Sequence, residues 1–215
     1  MKSKKKIIIA DDHTIIREAI KLVFHTVPHL RVVADTGDGS QVVKLCREYQ
    51  PDLLLLDISL PNRDGLDILK QLKDEFESLR VLIFSVHDES KYAVRALKAG
   101  AYGYLNKKSA SDVLLKAVES ILDGRKYITP EMAEALANWV VTDQDRPAHQ
   151  KLSNRELQTL QLISSGLSVG DIAIKLNLSV KTISMYRARV LDKLGLRNNA
   201  DLIRYSLDNE LIDPL

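Results

Sequence analysis

The stretch Leu53-Leu54-Leu55-Leu56-Asp57-Ile58-Ser59-Leu60-Pro61 places a carboxylate directly after four consecutive leucines. A run that is apolar without alternation predicts a strand buried on both faces, as in parallel sheets covered by helices. Open α/β sheets bind ligands in the crevice beyond the carboxyl ends of their strands. A lone aspartate at such a position more often caps the following turn, so a site at Asp57 requires companions.

Companions follow three other β-rich runs. Asp11 and Asp12 come after the run Ile7-Ile8-Ile9-Ala10, Ser85 follows the fourth run, and Lys107 follows the fifth. The carboxyl ends of parallel strands share one edge of a sheet, so these side chains are predicted to converge with Asp57. Carboxylate oxygens suit Mg²⁺, and a carboxylate can also act as a nucleophile that forms an acyl phosphate. The ammonium of Lys107 would offset part of the negative charge, and the Ser85 hydroxyl could donate to a phosphoryl oxygen.

Short β-rich runs alternate with amphipathic stretches from Lys6 to about Gly124. The predicted strands are Lys6–Ala10, Arg31–Asp35, Leu53–Asp57, Arg80–Phe84 and Tyr102–Leu105. The predicted helices are Thr14–His25, Ser40–Tyr49, Gly65–Phe76, Glu89–Ala99 and Ser111–Leu122. Five such units predict an α/β domain, residues 1–124, with a parallel sheet, right-handed crossovers and helices on both faces.

Beyond Gly124 the β-rich runs stop. Residues 125–150 are predicted to be a linker with a short helix, and its polar, turn-forming part runs from Thr142 to Pro147. From Leu152 onward every pattern is helical, which predicts a separate all-α domain at residues 151–215.

The second domain has the pattern of a helix-turn-helix. Ser153 and Glu156 fit a capping box that begins one helix, and a second helix begins at Ser168. After a short turn, a third helix is predicted to be capped by Ser179 and to end at Gly195. The segment 175–197 carries six basic residues: Lys175, Lys181, Arg187, Arg189, Lys193 and Arg197. A focused basic helix that follows a tight turn predicts an anionic partner, with the third helix in a DNA major groove.

Composition adds few constraints. The chain of 215 residues has a net charge of +2 and one cysteine, Cys46, which we predict to be a small core residue of a cytoplasmic protein. The basic start, Lys2–Lys6, is followed by an apolar stretch too short for a signal peptide, and no segment approaches a membrane-spanning length.

Residues 6–123 resemble the receiver domain of two-component response regulators, through Asp11-Asp12, Asp57, Ser85 and Lys107. The resemblance implies a flavodoxin-like sheet of order 2-1-3-4-5 in which Asp57 accepts a phosphoryl group from a histidine kinase or phosphotransfer protein. It implies that Asp12, Asp57 and the backbone carbonyl of Ser59 bind Mg²⁺ directly and that Asp11 acts through water. Lys107 would pair with the phosphoryl group. Tyr104 would turn inward when Ser85 moves toward the phosphoryl group. Ser85 replaces the threonine that is commoner in the family.

Residues 152–212 resemble the LuxR-type DNA-binding domain, through Leu152-Ser153, Arg155-Glu156, Gly166-Leu167-Ser168, Ile172-Ala173, Val180-Lys181-Thr182-Ile183 and Lys193-Leu194-Gly195. The whole chain therefore resembles a response regulator of the NarL/FixJ type, and the run 181–189 resembles the GacA/UvrY branch.

This second resemblance implies a contact set on double-stranded DNA. Ser184, Met185 and Ala188 would face base edges, and Lys181, Thr182, Tyr186, Arg189 and Lys193 would contact phosphates. Arg187 replaces a residue that is often apolar, so it could face either DNA or the edge of the domain. Asn198–Leu207 would supply the dimerising helix of a homodimer promoted by phosphorylation. The expected function is transcriptional regulation, with no enzymatic activity beyond self-catalysed phosphoryl acceptance.

Two other functions compete on the same residues. The first is a phosphotransferase or phosphatase with an aspartyl intermediate, but His13-Thr14 stand where such enzymes carry a further acid, and no cap-sized insertion shelters a substrate. The second is a nucleotide- or flavin-binding module. Against it, the loop Asp11-Asp12-His13-Thr14 lacks the glycines that cradle phosphate, and its acids would repel an anion.

Overall fold

The computed structural model describes residues 4–87, 89–109, 111–141 and 147–212. Each of the five β-rich runs forms a strand. The strands are β1 (Lys5–Ala10), β2 (Leu30–Thr36), β3 (Leu53–Leu56), β4 (Arg80–Ser85) and β5 (Gly103–Asn106). They form one parallel sheet in the order β2-β1-β3-β4-β5. The predicted fold class and strand order are therefore confirmed.

Helices alternate with these strands along the chain. They are α1 (Thr14–His25), α2 (Val42–Tyr49), α3 (Gly65–Glu75), α4 (Glu89–Lys98) and α5 (Ser111–Leu122). A sixth helix, α6 (Pro130–Val141), follows β5 and α5 and packs against α4. In this contact the Lys98 ammonium lies 3.9 Å from the centre of the Trp139 ring, a cation–π distance.

The central strands are dry on both faces, as the leucine run predicts. Each residue of Leu53–Leu56 is at most 1% exposed, and the three isoleucines of β1 are fully buried. Cys46 is also fully buried on α2, so its predicted role as a small core residue is confirmed. Burial raises the pKa of its thiol to about 12, which leaves it unreactive.

Register brings the first and third strands into line at their carboxyl ends. Ala10 pairs with Leu56, and the Asp57 amide donates to the Ala10 carbonyl at 2.8 Å. Asp11 and Asp57, each the next residue along its strand, therefore leave the sheet side by side.

The chain divides into two compact units, Met1–Val141 and Thr142–Leu215. Of the predicted linker, residues 142–146 lie outside the described residues, and its bounds of 125 and 150 stay a prediction. The second unit begins with a short 3-10 helix, Ala148–Lys151. It continues with α7 (Asn154–Ser164), α8 (Val169–Leu176), α9 (Val180–Leu194) and α10 (Asn199–Asp208).

The second unit is all-helical where it is described, as predicted. Ser153 and Glu156 form the predicted capping box, and Ser179 caps α9 through the amide of Thr182. Gly195 ends α9 in the left-handed region, with φ of 66°. In the described part of the chain, every helix is too short or too polar to cross a lipid bilayer.

Candidate functional site

The pocket at the carboxyl edge of the sheet is centred on Asp57. This side chain is 1% exposed, and its Oδ1 accepts a hydrogen bond from the Ser59 amide at 3.1 Å. Asp64 caps α3 by accepting from the amides of Leu66 and Asp67. A Cβ at Gly65 would overlap the Asp57 carbonyl oxygen and lie 2.7 Å from the Ile58 Cα, so only glycine allows α3 to begin this close to the aspartate.

Lys107 joins two of the predicted acids. Its ammonium lies 2.6 Å from Asp57 Oδ2 and 2.6 Å from Asp11 Oδ2, and all three side chains are at most 3% exposed. Buried charges are tolerated when they are paired in this way. The backbone amide of Lys107 donates to the Ser85 carbonyl at 2.9 Å, which fixes the lysine next to the end of β4.

Asp12 lies at the open side of the same pocket, with its side chain 39% exposed. Asp11, Asp12, His13 and Asp57 each offer a ligand atom, and these atoms all lie within 4.8 Å of one another. When ionised, the three carboxylates outweigh the one ammonium by two negative charges. The donor set therefore fits a hard divalent cation in both charge and chemistry.

Ser85 supplies a hydroxyl with unused hydrogen-bonding capacity. Its side chain is fully buried, and the Oγ atom has no hydrogen-bond partner among the described residues. A buried hydroxyl without a partner costs free energy, so Ser85 Oγ is available to an oxygen that enters the pocket.

Tyr104 is fully buried, with its hydroxyl donating to the His87 carbonyl at 3.0 Å. The ring thus already has the inward position that was predicted for the switched state, and its movement stays a prediction. Asn106 donates to the same carbonyl, and the His87 imidazole contacts Ser59 Oγ at 2.7 Å and stacks on Tyr92. His87 therefore ties the loop after β3 to the loop after β4.

Sequence reasoning missed three of these positions: His13, His87 and Arg17. The Arg17 guanidinium donates to the Asp11 carbonyl at 2.6 Å and to Asp35 at 2.8 Å, so it braces the loop that carries the acids. Burial raises the pKa of Asp35, but hydrogen bonds from Lys21 and Arg17 outweigh it and hold that pKa below its usual range. The adjacency of His13 to Asp12 was a usable signal, whereas the contacts of Arg17 and His87 depend on loop conformation.

The second candidate site is the exposed face of α9. Lys181, Ser184, Met185, Ala188 and Arg189 are exposed along it, while Ile183 and Val190 are fully buried on the opposite side. Leu191 and Leu194, in the last two turns of the helix, are half-buried.

Four other residues of α9 are engaged within the unit. Thr182 and Tyr186 are half-buried, and Thr182 Oγ1 lies 2.7 Å from Ser179 Oγ. Arg187 donates to Asn199 Oδ1 at 2.6 Å, which places it at the edge of the domain. Lys193 forms an ion pair with the buried Glu156 at 2.7 Å, so its ammonium serves the fold in this structure.

Comparison with known proteins gives a match to each unit. Residues 7–119 match the family described as response regulator receiver domain. Residues 150–206 match the family described as bacterial regulatory proteins, luxR family.

Two relatives match nearly the whole chain, and a third matches about two thirds of it. The oxygen regulatory protein NreC of Staphylococcus aureus (strain JH9) is 32% identical, covering 97% of this chain and 99% of that protein. RcsB from Salmonella enterica serovar Typhimurium, bound to promoter rprA in the presence of the phosphomimetic BeF3-, is 26% identical with a TM-score of 0.64 and covers 94% of this chain and 98% of that chain. A LuxR-family two-component response regulator from Aurantimonas sp. SI85-9A1 is 34% identical with a TM-score of 0.60, over 65% of this chain and 99% of that chain.

Proposed function

This chain belongs to the response regulators of the NarL/FixJ type, DNA-binding regulators of transcription, and we propose that phosphorylation of Asp57 controls its binding to DNA. The observation that carries the proposal is the buried contact of Lys107 with both Asp57 and Asp11, at 2.6 Å each. It holds the Asp57 carboxylate, the proposed acceptor, at the end of β3 beside an ammonium that can pair with the oxygens of a transferred phosphoryl group.

The reaction is a transfer between two nucleophiles. An oxygen of Asp57 attacks phosphorus, the P–N bond of a phosphohistidine breaks, and the histidine nitrogen takes up a proton as the acyl phosphate forms. Lys107 stays within the pocket and pairs with the new phosphoryl oxygens, as an ammonium does with phosphate. Ser85, whose buried hydroxyl lacks a partner among the described residues, donates to one of them.

We propose Mg²⁺ as a cation that this pocket holds, through Asp12, Asp57 and the Ser59 carbonyl, with Asp11 acting through water. When bound, it neutralises charge that develops on the transferring phosphoryl group. The carboxylates of Asp11 and Asp12 lie beside that of Asp57. The resulting excess of negative charge over the single ammonium of Lys107 supports a bound cation.

The phosphoryl donor is proposed to be a histidine kinase or phosphotransfer protein. The side chain of Asp57 is only 1% exposed, so a donor must reach it through the opening beside Asp12. A small phosphodonor meets the same requirement and provides a simple substitute in experiments.

The DNA-binding face is proposed to be the exposed side of α9. Lys181 and Arg189 would contact phosphates, with weaker contributions from Thr182, Tyr186 and Lys193, which are partly buried or paired. Ser184, Met185 and Ala188 would meet base edges. RcsB in its promoter complex shares this chain's fold, which supports this assignment.

Dimerisation is proposed to occur through α10. Ile203 and Leu207 are 36% and 44% exposed at i, i+4 spacing, while Leu202 and Ser206 face inward. Two apolar side chains on one outer face favour pairing with a second copy, and a dimer reads paired half-sites.

The first test is DNA affinity with and without a small phosphodonor. Fragments that bind are selected from random DNA, and the affinity of the wild type and of Asp57→Asn is measured in Mg²⁺. We expect the phosphodonor to raise the wild-type affinity by roughly tenfold, a usual size for coupling between sites, and to leave the variant unchanged. An equal rise in both proteins would contradict control through Asp57.

A further inference from the structure

His13 lies in the acidic pocket with Asp11, Asp12 and Asp57, and the family resemblance gives it no role there. Its Nδ1 atom lies 2.7 Å from Asp12 Oδ1 and 3.2 Å from Asp11 Oδ1. The pocket thus presents one nitrogen among its oxygens at the open side, where Asp12 is also exposed.

The position of the imidazole has no local explanation in the helix that it precedes. His13 is the N-cap residue of α1, in extended backbone conformation, yet its side chain makes no capping hydrogen bond. Its own amide donates to Asp11 Oδ1 at 2.9 Å, so the backbone already fixes the turn. The side chain is 56% exposed, so core packing does not hold it either, and its two carboxylate contacts are what fix its direction.

The spacing of the donor atoms suits direct coordination. Adjacent ligands of an octahedral cation lie about 3 Å apart and opposite ones about 4.2 Å, for bonds of about 2.1 Å. The separation of 2.7 Å between His13 Nδ1 and Asp12 Oδ1 is close to the adjacent distance, and the whole donor set spans at most 4.8 Å. Small side-chain movements at this exposed rim therefore suffice to close the shell.

A nitrogen ligand changes which cation the pocket prefers. Mg²⁺ favours oxygen ligands and water. Imidazole binds divalent first-row transition ions more strongly than it binds Mg²⁺, and its affinity within that series rises from Mn²⁺ onward. We propose that His13 coordinates the cation through Nδ1 and makes this receiver prefer a divalent transition ion such as Mn²⁺ over Mg²⁺. The proposal deepens the proposed function, since it concerns the cation of the same pocket.

Pulsed electron paramagnetic resonance of the full chain with Mn²⁺ alone tests the contact directly. A coordinated imidazole gives modulation from directly bound ¹⁴N, and we expect it in the wild type and not in His13→Gln. His25→Gln is the matched control, because it removes an exposed imidazole at the opposite end of α1 from His13, and it should keep the signal. Bound Mn²⁺ without ¹⁴N modulation in the wild type, or no Mn²⁺ binding at all, would overturn the proposal.

Competition between Mn²⁺ and Mg²⁺ tests the preference. We expect His13→Gln to reduce the ratio of Mn²⁺ to Mg²⁺ affinity by about tenfold, and a ratio equal to that of the wild type would overturn the proposal. Phosphorylation of the wild type by a small phosphodonor in Mg²⁺ separates this idea from the proposed function. If Asp57 stays unlabelled while the ¹⁴N signal is present, the proposed function fails and the role of His13 stands.

Discussion

At the scale of single residues, one ammonium group offsets part of the negative charge in the pocket around Asp57. Lys107 touches Asp11 and Asp57 at 2.6 Å each, so neither carboxylate is buried without a counter-charge. Removing one partner of a buried ion pair leaves the other charge unpaired, which is costly. The lysine that pairs with both carboxylates in the free protein therefore lies where it could pair with a phosphoryl group on Asp57, as proposed.

Gly65 sets how closely α3 approaches Asp57. We expect Gly65→Ala to lower the free energy of unfolding of the first unit by about 1–3 kcal/mol, because the added carbon would overlap the Asp57 carbonyl oxygen. Urea unfolding followed by the fluorescence of Trp139, the single tryptophan, measures this change.

Gly170→Ala is the control for that substitution, and its unfolding is followed by circular dichroism because Gly170 lies in the second unit, whereas Trp139 lies in the first. Gly170 lies in α8, where an added carbon would meet its nearest atom, Ser168 Oγ, at 3.6 Å, an ordinary contact. Alanine is the better helix former, so this variant should be at least as stable as the wild type. Unchanged stability of Gly65→Ala would show that the loop yields easily and that the close approach is not required.

The residues at strand ends could be predicted from the sequence, but the loop contacts could not. Asp11, Asp57, Ser85 and Lys107 follow apolar runs, and parallel topology alone brings such positions to one edge. The contact of His87 with Ser59 joins two loops that are 28 residues apart, and it depends on side-chain rotamers that no periodicity encodes.

At the scale of elements, local capping patterns specify the second unit well. The capping box of Ser153 and Glu156 and the left-handed Gly195 are both present where the sequence predicts them. The ion pair between Glu156 and Lys193 was not predictable in this way, because it joins α7 and α9 across 37 residues. Its effect is to commit a lysine of α9, the proposed DNA-binding helix, to the fold.

Glu156 makes the second unit sensitive to acid. Burial raises the pKa of this carboxyl, but the Lys193 ammonium and the Ser153 amide outweigh it and hold the pKa below the usual range. A lowered pKa in the folded state means that the stabilisation is complete above the ordinary glutamate value of about 4.3 and is lost as the pH falls below it.

We therefore expect Glu156→Gln to unfold at a lower temperature than the wild type at pH 7. Between pH 5 and about 3, the unfolding temperature of the variant should fall less than that of the wild type. Thermal unfolding across this pH range, followed by circular dichroism, measures both effects. Asp208→Asn removes an exposed carboxylate from the end of α10 and should keep the wild-type response. If the unfolding temperature of Glu156→Gln fell with pH as much as that of the wild type, the acid sensitivity would belong to groups other than Glu156.

At the scale of the whole molecule, the first unit carries the proposed phosphoacceptor pocket and the second carries the proposed DNA-binding face. The division into α/β and all-α parts was predictable, because the hydrophobic period changes from alternating strands and helices to helices alone. The packing of α6 against α4 was not, since its short helical pattern could equally have belonged to an independent linker. The side chain of Trp139 over Lys98 is the clearest sign that it packs with the first unit.

Salt dependence distinguishes the lysines and arginines of α9. Each phosphate contact contributes about 0.9 to the slope of log affinity against log salt concentration. We expect Lys181→Met and Arg189→Met each to flatten this slope by about one unit on selected and unselected fragments alike. Lys193→Met should change it less, because Glu156 already holds that ammonium. Equal slopes in the wild type and in the Lys181 and Arg189 variants would remove these two residues from the DNA-binding face.

The central claim is that Asp57 is the residue that takes up phosphorus. Intact-protein mass spectrometry after incubation with a small phosphodonor and Mg²⁺ tests it most directly. We expect one added phosphoryl group on the wild type and on Asp67→Asn, which alters an exposed acid of α3, and none on Asp57→Asn. Labelling of Asp57→Asn to the wild-type extent would contradict the account.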